Sequence, residues 1–176
     1  TIENNAGDRK NSKVCMNLKG ECTNTSLSFK FAITGHYLVK ADEIKISAYD
    51  NATGKDLIVT AKHYGTKNEV KEFTISYEEK NPKDAFDLTI KWVWPKMLEL
   101  NDDFITLPNF YSTSTTKIKL ELILNRSQTC EIAKIYKYST EMAKPLHICD
   151  IKKTNGSFVF ELNNPDKNTD YILYYK

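Results

Sequence analysis

The residues that could do chemistry are few and scattered. Three histidines, His36, His63 and His147, supply the imidazoles, the side chain best suited to proton transfer near neutral pH. None stands in an H-x-x-x-H or H-E-x-x-H spacing that would set two ring nitrogens toward one zinc ion. A serine–histidine–aspartate relay assembled in space from His63 or His147 stays open. No G-x-S-x-G turn exists to raise a serine nucleophile for it. The six glycines stand singly, so no phosphate-cradling loop is present. Glu78-Glu79 and Asp102-Asp103 are adjacent carboxylates. Neighbours on a strand point to opposite faces, so neither makes a general acid–base pair without a bent loop. Asn101, Asp102 and Asp103 offer hard oxygens that calcium prefers, but the set is incomplete and reads as a solvated turn. The expectation is no catalysis, no cofactor and no metal.

Four cysteines, Cys15, Cys22, Cys130 and Cys149, fall as one near pair at each end of the chain. An even count allows three connectivities. Local pairing, Cys15–Cys22 and Cys130–Cys149, is the expected one; the alternative joins the two ends. Closing the second loop would contribute about 3 kcal/mol in the chain-entropy model. No C-x2-C spacing supports zinc. Four N-x-S/T sequons place glycan acceptors at Asn24, Asn51, Asn125 and Asn155. Oxidised cysteines and sequons both predict an extracellular or cell-surface location in the secretory pathway. The chain begins at Thr1, as a mature secreted chain or a trimmed ectodomain would.

Basic and acidic residues number 25 and 23, for a net charge of +2. They are dispersed, with Arg9-Lys10 and Lys152-Lys153 as the basic pairs. Nucleic acid is therefore not an expected partner, although a patch assembled in three dimensions stays open. No run reaches the roughly 18 to 20 apolar residues of a membrane span. Arginine occurs twice against 23 lysines, a ratio that protein physics does not demand and that points to an AT-rich coding genome.

The elements that must position these residues announce themselves by period-two alternation. Leu27, Phe29, Phe31 and Ile33 share one face, as do Phe73, Ile75 and Tyr77. Phe86, Leu88, Ile90, Trp92 and Trp94 form the longest such face, opposed by Asp87, Thr89 and Lys91, and the two tryptophans are expected core anchors. Further strands are expected over 44–48, 56–62, 117–124, 131–137, 146–151, 157–162 and 170–175. Asn155-Gly156 is a strong hairpin signal. Helical candidates are limited to 96–101 and 139–144. The pattern predicts an all-β fold: an antiparallel β-sandwich, immunoglobulin-like or related, with about 9 to 11 short strands and little helix. Residues 1–13 read as a flexible lead-in and 14–176 as a single domain.

Two aromatic features stand apart from the core pattern. Phe110-Tyr111 precedes a small polar run and is the candidate partner-binding tip, because rigid rings bring contact area at low entropy cost. Tyr171 to Tyr175 is apolar on both faces, which suits a central strand or one covered by a partner. The expected function is that of a secreted or cell-surface, disulfide-bonded glycoprotein domain that binds a protein ligand or receptor. Adhesion modules, receptor ectodomains, surface antigens and immune-evasion decoys all belong to that class. The alternative is an extracellular carrier of a small apolar ligand; a hydrolase ranks third.

Overall fold

The computed structural model describes residues 11–23, 25–34, 44–64, 70–95, 103–107, 113–123, 130–167 and 169–175. These form twelve strands, and no helix occurs among them. The all-β expectation holds, with slightly more strands than the alternation predicted. None of the described residues forms a helix long and apolar enough to cross a membrane.

The larger sheet has eight strands and is built around β1 (Asn11–Cys22). Val14, Met16 and Leu18 face inward while Lys13, Cys15, Asn17 and Lys19 face outward. That is ordinary strand alternation, in a segment where the two cysteines suggested a loop. β1 lies between β6 (Ala85–Pro95) and β8 (Thr113–Ile123), antiparallel to both. β11 (Ser157–Asn163) adds to the outer side of β8. Beyond β6 follow β3 (Lys45–Asp50), β4 (Lys55–Tyr64), β5 (Val70–Lys80) and β2 (Ser26–Thr34). The smaller sheet orders β10 (Leu146–Lys152), β9 (Ile132–Tyr138), β12 (Asp170–Tyr175) and β7 (Asp103–Leu107). Every pairing is antiparallel, as β-branched and aromatic runs joined by short turns favour.

The inner faces of both sheets share one apolar cluster. Leu18, Leu88, Ile90 and Leu120 come from the large sheet, Ile135 and Leu173 from the small one, all without solvent exposure. Each such side chain contributes about 1.5–3 kcal/mol on burial. The rings of Phe160 on β11 and Tyr171 on β12 approach to 6.4 Å between centroids and tie the sheets together. Trp92 is buried there, as expected; the Trp94 side chain lies outside the described residues.

Asn155-Gly156 makes the expected tight turn. Both residues have positive φ, 52° and 82°, the requirement of a type I′ turn. Thr154 and Ser157 exchange backbone hydrogen bonds of 2.8 and 3.0 Å across it. The flanking strands then part, β10 to the small sheet and β11 to the large one, so the turn makes a corner and not an extended hairpin. Residues 139–145 form a turn instead of the expected helical segment. Met142 N–H donates to the Ser139 carbonyl at 3.0 Å. Pro145 then disfavours helical geometry at the residue before it. The other helical candidate, 96–101, lies outside the described residues.

The cysteine pairing is corrected: Cys15, Cys22, Cys130 and Cys149 are all free thiols. Cys15 and Cys22 lie on one continuous strand, seven residues apart, hence about 23 Å between Cα atoms. A disulfide tolerates at most about 7 Å. Cys149 stands opposite Ile135 in the β9–β10 ladder, five residues along from Cys130 and about 17 Å away by the same rise. The Cys130 thiol donates instead to the Ile132 carbonyl at 3.3 Å. Burial pushes the thiols of Cys15, Cys22 and Cys149 above the usual cysteine range, against lysine charges beside Cys15 and Cys22. Few thiolates therefore form near neutral pH. Thiol titration of the unreduced, denatured chain is expected to count four reactive groups, and alkylation of the folded chain should be slow and accelerate as pH rises. A count of zero would restore the disulfides.

Candidate functional site

Strand β12 is apolar on both faces, while β9 carries Lys134 among its outer positions, opposite Tyr174. Their inner positions, Ala133, Ile135, Tyr171, Leu173 and Tyr175, fill the core. Their outer positions carry Tyr136, Ile172 and Tyr174, which remain half-buried. The register sets Tyr136 directly opposite Ile172 and, on the other side, opposite His147 of β10. The His147 and Tyr136 rings meet edge to face, 5.4 Å between centroids and 67° between planes, a favoured aromatic geometry. His147 Nε2 and Asp150 Oδ1 are 2.8 Å apart, which fixes the ring over Tyr136. Tyr136, Pro145, Ile172 and Tyr174 line a shallow cavity of about 310 Å³.

The rim of this face is also apolar. Seven large apolar side chains are exposed among the described residues, and four of them lie on β9 and β10: Ile132 and Tyr138 on this outer face, Ile148 at the edge, and Leu146 opposite Lys137 on the reverse side. That concentration selects the small sheet over the large one as the candidate surface. β10 is the edge of its sheet, and its register shifts between His147 and Cys149. This is the bulge that commonly marks a protected or functional edge. Lys134, Lys144 and Lys152 stand exposed around the same strands. Behind the face, Lys137 pairs with Asp166 at 3.1 Å, and the Asp166 N–H donates to the Tyr171 hydroxyl at 2.9 Å. Burial pushes the Tyr171 phenol above its usual range.

The sequence-derived site residues fall into three groups. Phe110, Tyr111, Asn24 and Asn125 lie outside the described residues, as do the side chains of His36, His63, Glu78, Glu79 and Asp103. Among the described residues no histidine, cysteine or carboxylate cluster is arranged to hold a metal. Asn155 stands exposed at the corner turn. Asn51 is engaged: its amide donates to Asp87 Oδ1 at 2.7 Å and accepts from the Thr89 hydroxyl at 3.1 Å. The same hydroxyl lies 2.7 Å from Asn17 Oδ1, and Lys19 Nζ approaches Asp87 Oδ2 at 2.6 Å. Sequence reasoning named His147 only as a possible relay imidazole and did not single out Tyr136, because their juxtaposition depends on the β9–β10 register. It did single out the two-faced run ending at Tyr175.

The Asp87 network gives a pH prediction. Burial alone would raise the Asp87 pKa, but the hydrogen bonds from Lys19 and Asn51 and the lysine charge together hold it below the usual carboxylate range. A lowered folded pKa stabilises the fold above the unfolded value and loses that stabilisation as pH falls through the folded value. The stability advantage of the native chain over Asp87→Asn is therefore expected to be constant near neutrality. It should shrink in urea titrations as pH falls below the ordinary aspartate range, about 3.9, toward the lowered folded value.

Compared with known protein families, curated proteins and solved structures, the chain shows no match.

Proposed function

We propose that this chain is a non-catalytic binding domain, secreted or displayed at a cell surface, that recognises a protein partner through the outer face of its four-stranded sheet. The observation that carries the reading is the contiguous Tyr136–Ile172–Tyr174 surface with its exposed apolar rim. Tyrosine and aliphatic side chains at the centre of a patch, with lysines around it, are the composition of a protein-recognition surface. Lys134, Lys144 and Lys152 favour a partner that is apolar at its centre and acidic at its edge.

The scaffold we infer is a two-sheet sandwich, since both inner faces feed one core. Its division into eight and four strands departs from the four and three of an immunoglobulin constant domain. With the thiols free, the secretory location rests on the sequons. Asn155 supports it best, being exposed at the corner turn. Asn51 is the poorer acceptor because its amide already holds Asp87. A carrier of small apolar ligands would need an open interior. The inner faces are instead filled by Met16, Phe73, Phe158 and Tyr175, all nearly out of contact with water.

The test is binding to a panel of extracellular protein domains, repeated with Tyr174→Lys, Ile172→Lys and Ile58→Lys. Ile58 is 70% exposed on β4 of the other sheet and serves as the control. Loss of binding in the first two variants alone supports the reading. Loss with Ile58→Lys alone, or no binder in the panel, removes it.

A further inference from the structure

The outer face of the eight-stranded sheet divides into two halves of different charge balance. In one half two lysines are paired: Lys19 lies 2.6 Å from Asp87, and Lys117 lies 2.7 Å from Glu161. In the other half, Lys13, Lys45 and Lys91 have no carboxylate within ion-pair distance among the described residues. The register explains how they converge. Val93 of β6 stands opposite Lys13 of β1 on one side and opposite Lys45 of β3 on the other. Lys13 and Lys45 are thus two strand spacings apart, about 10 Å at their Cα atoms. Lys91 lies two residues along β6 from Val93, diagonal to both at about 7–8 Å. The three ammonium groups ring a half-buried valine.

A groove of about 360 Å³ runs over this ring, lined by Lys13, Lys45, Lys91, Cys15, Val93 and Ile123 among others, and none of the described residues lining it is a carboxylate. The nearest acid in the ladder is Glu121, opposite Cys15 on the far strand. Three cations around an apolar floor suit a compact ring whose C–H face rests on valine while its substituents reach outward to charge.

We propose that this groove binds a small polyol ring carrying two or more sulfate or phosphate esters. The site is independent of the small-sheet face, and it supplies a second ligand class that dispersed sequence charge did not suggest. Sulfated saccharides and inositol phosphates share the required chemistry, so both serve as probes: sucrose octasulfate and inositol hexakisphosphate, with sucrose as the uncharged control.

Binding is read by calorimetry on the full chain at low ionic strength, and by the rate at which iodoacetamide alkylates Cys15. Tight binding of either probe supports the proposal, and the tighter one assigns the ester. Occupancy should slow alkylation of Cys15 and leave Cys149, on the other sheet, unchanged. The combined Lys13→Gln, Lys45→Gln, Lys91→Gln variant should weaken binding about tenfold or more. Lys134→Gln, Lys144→Gln and Lys152→Gln remove the same charge from the small sheet and should change it less than about twofold. Lys91→Gln alone, at an exposed strand position, guards against a folding defect in the triple variant and should also weaken binding. Equal weakening by both triple variants, unaltered Cys15 alkylation, or no binding of either probe overturns it.

Discussion

Phe158→Ala is expected to destabilise the fold by about 3–5 kcal/mol, while the adjacent Val159→Ala should change stability by less than about 0.5 kcal/mol. Phe158 has no solvent exposure, whereas Val159 is 42% exposed. One step along β11 moves a side chain from the shared core to the outer face. Phe158 stands opposite Leu122 and fills the space where the two sheets meet near the corner turn, so its removal leaves a cavity that close-packed neighbours cannot fill. For a chain of this length the first substitution should lower Tm by about 6–20 °C. Urea titration of the pair checks it. Equal effects would mean that β11 is not in the register described.

Gly20→Ala gives a test of sign. Glycine inside a strand ordinarily weakens it, so alanine would be expected to stabilise by about 0.5–1 kcal/mol. At position 20 the geometry reverses this. A Cβ there would overlap the Ser114 carbonyl oxygen and stand 2.7 Å from the Phe86 ring. Neither neighbour can give way: Ser114 belongs to the β8 ladder, which shifts register between Lys19 and Gly20, and Phe86 is buried in the core. Overpacking of this kind costs about 1–3 kcal/mol, a fall in Tm of about 2–12 °C. A variant more stable than the native chain would show that β1 does not run this close to β8.

What the sequence disclosed was the local rhythm. Phe73 to Tyr77 and Phe86 to Trp92 alternate cleanly, and both are strands. Val14, Met16 and Leu18 alternate too, yet Cys15 and Cys22 drew attention to a loop that a strand occupies. The same assumption misplaced the sulfur chemistry, because two cysteines close in sequence are far apart when the chain between them is extended. Long-range pairing was not legible. Nothing local says that β1 sits between β6 and β8, since that order is decided by which apolar faces can share one core. The candidate face was half legible: the run ending at Tyr175 advertised two apolar faces, but His147 reaches Tyr136 only through strand register. Lys13, Lys45 and Lys91 gave no signal, being far apart in the chain and brought together only by the sheet.

The placement of β1 also dictates the order of events during synthesis. Leu18 pairs with Leu88 on one side and Ile118 on the other, so β1 leaves the ribosome roughly 70 to 100 residues before its partners. At about 5–20 residues per second it waits several seconds or longer with both hydrogen-bonding edges open. Proteins dominated by such distant pairings fold slowly, on the scale of milliseconds to seconds. The nascent chain is therefore most vulnerable to clumping before β6 emerges, and chaperone demand should be greatest in that interval.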